Sequence, residues 1–182
     1  RDLSAIEPPI WASMLLKRAR RDGIEADLLD CEALQLSVAE SVEKIKTYNP
    51  SLAAIVVYGQ QPSASTQNIV GAEALSKALS GTGIQVLFIG AHPSALPERT
   101  VIDNPWAFVC QGEGPETVLA LSKKGIFTRY DLSKVPGLWY MYDDKVCHTQ
   151  QAPLITNLEE DLPGMQWDAL NLSRYRTSNW HA

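Results

Sequence analysis

Cysteine is scarce in this chain. There are three in 182 residues, Cys31, Cys110 and Cys147, and none lies close to another. That spacing excludes a metal knuckle, and an odd count in a chain too long to need staples points to reduced thiols in a cytoplasmic protein. Long apolar runs are missing too. Nothing approaches the ~18 residues of a membrane span, and no signal peptide is visible. Basic residues number 16 against 21 acidic ones, for a net charge of −5. The densest basic stretch, Lys17 to Arg21, falls at helical spacing and reads as a solvated face, which argues against a nucleic-acid partner. Neither a GxGxxG nor a Walker sequence occurs, so the common phosphate-cradling loops are out. The chain opens at Arg1 rather than Met, as a fragment or a processed protein would.

What is present suits a globular domain: 45% hydrophobic and 20% charged residues, enough apolar material for a core. Pro8-Pro9 favours a helix start, where a missing N–H goes unnoticed. Ile10, Met14, Leu15 and Ala19 then recur at helical spacing until Gly23. Residues 24–30 read as a short strand. Ser37 is a candidate N-cap for a helix over 38–48, which Asn49-Pro50 breaks. Residues 52–58 are apolar throughout and rich in β-branched side chains, the mark of a strand buried on both faces. A helix over 65–79, strands over 85–89 and 107–110, and a helix over 116–123 follow. This alternation predicts an α/β fold with a doubly wound parallel sheet, flavodoxin-like in the order 2-1-3-4-5. Such a sheet needs a central first strand, which residues 1–7 are too few and too polar to supply, so it is expected to be missing. Residues 137–148 read as a β-hairpin turning at Asp143-Asp144. The expected layout is an α/β domain over 1–130, a hairpin extension over 131–152 and an extended linker over 153–182. That linker carries Leu154, Ile155, Leu158, Leu162, Met165, Trp167 and Leu170. A freely solvated segment is usually poor in such residues, so it is expected to pack along the α/β domain.

Open parallel sheets bind ligands outside the carboxyl ends of their strands. Three loops fall there. The first holds Tyr58, Gly59, Gln60, Gln61, Pro62, Ser63, Ser65 and Thr66; the second Gly90, Ala91, His92 and Pro93; the third Gln111, Gly112, Glu113 and Gly114. Their glycines let backbone approach a ligand closely, and the hydroxyls at a helix start either cap it or donate. Glu113 and Glu116 read as a turn carboxylate and a first-turn carboxylate rather than an acid–base pair. Trp11, Trp106 and Trp139 read as core or interface, and His148 and His181 as surface residues.

Four stretches occur in a familiar order: Glu7-Pro8-Pro9-Ile10-Trp11-Ala12, Gly90-Ala91-His92-Pro93-Ser94-Ala95-Leu96-Pro97-Glu98, Gln111-Gly112-Glu113-Gly114-Pro115-Glu116-Thr117, and Leu158-Glu159-Glu160-Asp161-Leu162-Pro163 with Trp167-Asp168. Together they resemble the N-terminal part of cobalamin-dependent radical S-adenosylmethionine enzymes, over about residues 3–181. The resemblance implies a cobalamin-binding domain ahead of a radical domain, in a methyltransferase-type enzyme. The Cys-x-x-x-Cys-x-x-Cys that would hold a [4Fe–4S] cluster does not occur, so the cluster and S-adenosylmethionine are expected only in a downstream domain of the same full-length chain. The chain alone is then expected to bind cobalamin, with no catalytic residue and no protein ligand to a metal.

Histidine reaches cobalt in well-known cobalamin folds through Asp-x-His-x-x-Gly, and that motif is also absent. His92 follows a later strand. It is expected near the nucleotide tail or side chains of the cofactor, or packed on Pro93, rather than on cobalt. Two other readings of the residues are open: a flavodoxin- or receiver-like binding module, and a small nucleotide-sugar-binding transferase. A receiver would want a lysine after its fifth strand, and a transferase a phosphate-cradling glycine loop; neither is found.

Overall fold

A computed structural model describes residues 5–58, 62–123 and 129–176. Helix α1 (Ile10–Arg21) follows Pro9, and α2 (Val38–Tyr48) starts at a full capping box, with Ser37 and Glu40 each bonding the other's backbone N–H. The strands are β1 (Leu52–Val57), β2 (Gln85–Gly90) and β3 (Ala107–Cys110), then β4 (Leu138–Tyr142) and β5 (Lys145–His148). They form one sheet in the order β1-β2-β3-β4-β5. The first three run parallel and the last two antiparallel. The expected hairpin is therefore the far side of the same sheet. It turns at Asp143 and Asp144, both with positive φ (48° and 56°), the backbone twist a two-residue hairpin loop requires.

The unbroken apolar runs of β2 and β3 reflect burial on both faces. Leu87, Ile89, Phe108 and Cys110 join Leu15, Leu121, Leu138 and Tyr140 in one core layer. Val86, Phe88, Ala107 and Val109 join Val42, Ile69, Leu79 and Val101 in the other. Helices α1 and α6 (Pro115–Ser122) cover the first layer; α2, α3 (Pro62–Leu79) and α5 (Pro97–Asp103) cover the second. Period-two alternation sends successive side chains to opposite layers. Full burial of each large side chain here contributes about 1.5–3 kcal/mol.

Two expectations need correction. Residues 24–30 form no strand. The outer edge of β1 is left unpaired among the described residues, and Arg20 holds the segment instead through Ala26 O and Asp27 at 2.9 Å each. The stretch after Gly90, expected as a loop, is helical: Ala91–Ala95 coil into the short helix α4, with α5 directly behind.

The acidic, aromatic stretch after Pro153 packs onto α1. Leu162 and Leu170 are buried, and Gln166 N donates to Ser13 Oγ at 2.8 Å. Arg18 joins three partners, Asp22, Glu116 and Asp161, at 2.9, 3.1 and 2.8 Å. Ile6 and Arg176 pair as an isolated antiparallel bridge, and Tyr175 OH donates to Asp30. Among the described residues no helix is long and apolar enough to cross a membrane.

Candidate functional site

Parallel register aligns the strand tips. Val57 stands opposite Gly90, and Phe88 opposite Val109, so the chain leaves β1, β2 and β3 along one edge. Two serines stitch these exits together. Ser65, fully buried at the start of α3, donates to Val57 O and accepts from His92 N at 3.1 Å. Ser94, next after the second loop's Pro93 and not among the expected site residues, accepts from Gly112 N at 3.0 Å and donates to Gly112 O at 3.2 Å. A hydroxyl is both donor and acceptor, which is what a two-way staple needs. The sequence signal for Ser94 was a small hydroxyl two residues beyond His92.

The structure sorts the expected site residues. Thr66 Oγ1 and His92 Nδ1 meet at 3.1 Å at the surface, so the first and second loops present a joint polar pair. Pro93 is buried beneath. Gly90 and Gly112 both have positive φ, 146° and 118°, but differ in purpose. A Cβ on Gly90 would sit 2.1 Å from Val57 O, so this glycine serves the close passage of two strands. A Cβ on Gly112 would meet nothing within 4 Å. The space a side chain would take there is open, while its N–H and C=O are both engaged by Ser94. Gly114, at φ 99°, is packed 3.1 Å from Ile89 Cγ2 by the same construction.

Other members are engaged elsewhere. Gln111 Oε1 accepts from Trp139 Nε1 at 2.9 Å, and Glu113 accepts from Ile155 N at 2.7 Å. These two carry the third loop's links to the hairpin and the tail. Glu116 faces Arg18. Ala91 is half-buried in α4, and Pro62 and Ser63 open α3. Gly59, Gln60 and Gln61 lie outside the described residues, as do Trp180 and His181.

Tyr58 follows β1 half-buried, its phenol pushed up by burial first, then by Cys110 and Glu113. Trp11 stacks on it with ring centroids 5.0 Å apart and planes 22° apart. Trp106 is tied to Ser76, and Trp139 stacks on His148. Burial raises the Cys110 thiol to about 11, opposed by its hydrogen bond to Thr117. A thiol so protonated is neither nucleophile nor metal ligand. Among the described residues no three His, Cys, Asp or Glu side chains gather as a metal site. All three cysteines are free thiols.

This edge carries a hydroxyl–imidazole pair, with an aromatic stack beside it. The model of the B12 binding domain matches residues 2–122. The chain is 28% identical over 154 residues to the anaerobic magnesium-protoporphyrin IX monomethyl ester cyclase of Synechocystis, covering 84% of this chain and 30% of that protein. It is 27% identical over 176 residues to an uncharacterized methyltransferase of Pyrococcus horikoshii, covering 93% and 35%. Among solved structures, the cobalamin-dependent S-adenosylmethionine radical enzyme OxsB, with aqua-cobalamin and S-adenosylmethionine bound, superposes with a TM-score of 0.64 at 18% identity, over 87% of this chain and 21% of that one. The radical S-adenosylmethionine methyltransferase TsrM from Kitasatospora setae, with cobalamin and a [4Fe–4S] cluster bound, gives 0.59 at 18% identity, over 85% and 29%. The chain thus spans about a third of the length of the curated relatives it matches.

Proposed function

This chain belongs to the B12-binding domain family, and on that premise we propose that it holds cobalamin against the carboxyl edge of β1, β2 and β3 for a radical S-adenosylmethionine reaction completed elsewhere in a longer protein. One observation carries the placement. Three loops that leave the same edge are joined by Ser65 and Ser94, and the side-chain position of Gly112 there is open. The receiver and transferase readings give way to the family match.

When bound, cobalamin supplies an alkyl carrier, most simply for a methyl group. This chain's residues bind and orient it. Gly112 offers backbone without a side chain in the way. Thr66 and His92 offer a donor–acceptor pair to the amide arms or nucleotide tail, with His92 kept off the cobalt. The half-buried Tyr58 closes the site on the α1 side. The [4Fe–4S] cluster and S-adenosylmethionine belong to a partner domain of the same full-length chain, and a methyltransferase-type reaction is the one we favour. The free thiols suit a cytoplasmic setting.

Incubation with hydroxocobalamin, desalting and an absorption spectrum test this directly. A corrin spectrum retained near one equivalent is expected. After reduction, the Co(II) electron paramagnetic resonance spectrum should be unchanged by His92→Ala. Loss of all colour on desalting overturns the binding role, and nitrogen splitting abolished by His92→Ala overturns the place given to His92.

A further inference from the structure

Trp11 keeps 39% of its surface exposed. Trp11 lies in the first turn of α1, and its indole rests nearly flat on Tyr58. One ring face is therefore covered. Leu15 is one turn further along the same helix face, and it is buried in the core layer with Ile89. A Cβ on Gly114 would come within 3.6 Å of Leu15 Cδ2. So the helix face that carries Trp11 passes under the loop after β3, and Trp11 stands where α1 reaches the carboxyl edge. Asn68 Nδ2 donates to Tyr58 O at 3.2 Å, which ties the base of the stack to α3. The stack is thus held from two helices. Tyr58 is half-buried close to Cys110 and Glu113 of the third loop, and the outer side of the stack stays open.

We infer that Trp11 and Tyr58 form an apolar wall of the cobalamin site, against which the corrin ring, rather than the nucleotide tail, is laid. This rests on the cobalamin reading above and adds the contact that sets the ring's position. The corrin is wide and rimmed with methyl and methylene groups. A preformed aromatic stack matches it in size and loses little side-chain freedom when it binds. The polar Thr66–His92 pair belongs to the α3 side of the same edge, where the ring's amide arms would find partners.

The test uses the 182-residue chain with two ligands: hydroxocobalamin, and cobinamide, the corrin without its nucleotide tail. Trp11→Ala should weaken both by about tenfold, the scale of one well-placed aromatic contact. Trp11→Phe should stay within about threefold of the parent, because a flat ring remains. Circular dichroism melts show whether each variant is folded. Should Trp11→Ala not fold, 5-fluorotryptophan labelling still decides. The fluorine resonance of Trp11, identified as the one missing in Trp11→Phe, must shift when cobinamide is added. Parent-like affinity in a folded Trp11→Ala, or a Trp11 resonance unmoved by cobinamide, overturns the inference alone. Weakening confined to hydroxocobalamin also overturns it, because the wall would then meet the nucleotide tail. A parent chain that retains neither ligand overturns the cobalamin reading, and this inference with it.

Discussion

Gly90 and Gly112 would be grouped together by any reading of the sequence, since each follows an apolar strand in a loop of small residues. Their surroundings separate them. At Gly90 the neighbour is the backbone of Val57, which cannot step aside. Gly90→Ala is therefore expected to lower stability by more than about 2 kcal/mol, through steric conflict and a strained φ together. At Gly112 the space is open, so Gly112→Ala carries only the strain of positive φ, about 1 kcal/mol. It should nonetheless loosen cobalamin, because the new methyl group enters the proposed site. Denaturant melts, alongside cobalamin retention, check both. A Gly90→Ala chain as stable as the parent would show that β1 and β2 can part without penalty. Cys110 gives a pH-dependent counterpart. Burial holds its thiol at about 11, above the usual 9. The unfolded chain loses this proton first, so the stabilising preference is intact below pH 9 and lost as pH climbs toward 11. Parent stability should fall over that interval more steeply than that of Cys110→Ala. Equal slopes in denaturant titrations at pH 8, 9.5 and 11 would assign the fall to other groups, such as the Tyr175 phenol, raised to about 12 by burial and then by Asp30.

Among the elements, α1 and the tail depend on one guanidinium. Arg18 is 11% exposed and joins α1 to α6 through Glu116 and to the tail through Asp161. Its hydrogen bond also draws the Asp22 carboxyl below the usual carboxylate range. Arg18→Met keeps the aliphatic stem and removes the charge. It should cost about 1–2 kcal/mol, since these charge-assisted bonds are partly screened by solvent. Amide exchange over 157–166 should speed up while β2 stays protected; equal exchange in parent and variant would mean that Leu162 and Leu170 alone hold the tail. Local pattern made most elements readable. The Ser37 box, the unbroken runs of β2 and β3, and the Asp143-Asp144 turn each carry their own signal. Residues 24–30 misled because a short strand-like stretch carries no sign of the long-range contact that claims it, and here Arg20 of α1 takes Ala26 O and Asp27. Helix α4 was missed because Gly90 and Pro93 look like breakers, while a proline in a first turn is compatible with helix.

For the whole molecule, the candidate site is a property of assembly. Glycines and hydroxyls at strand ends marked the edge proposed here, but the sequence could not say which of them face outward. Ser65 and Ser94 turn inward as staples, Gln111 and Glu113 are engaged by the hairpin and tail, and Trp11 comes into view only when α1 is seated on Tyr58. The family match makes cobalamin the ligand, and the stapled loops are the place proposed for it. Hydrogen exchange of the chain with and without saturating hydroxocobalamin tests that pairing most directly. Slowed exchange should be concentrated over 62–66, 90–94 and 111–114, with β4 and β5 unchanged. Slowing confined to the hairpin or the tail, or none at all with the corrin demonstrably bound, would contradict the placement of cobalamin on this edge.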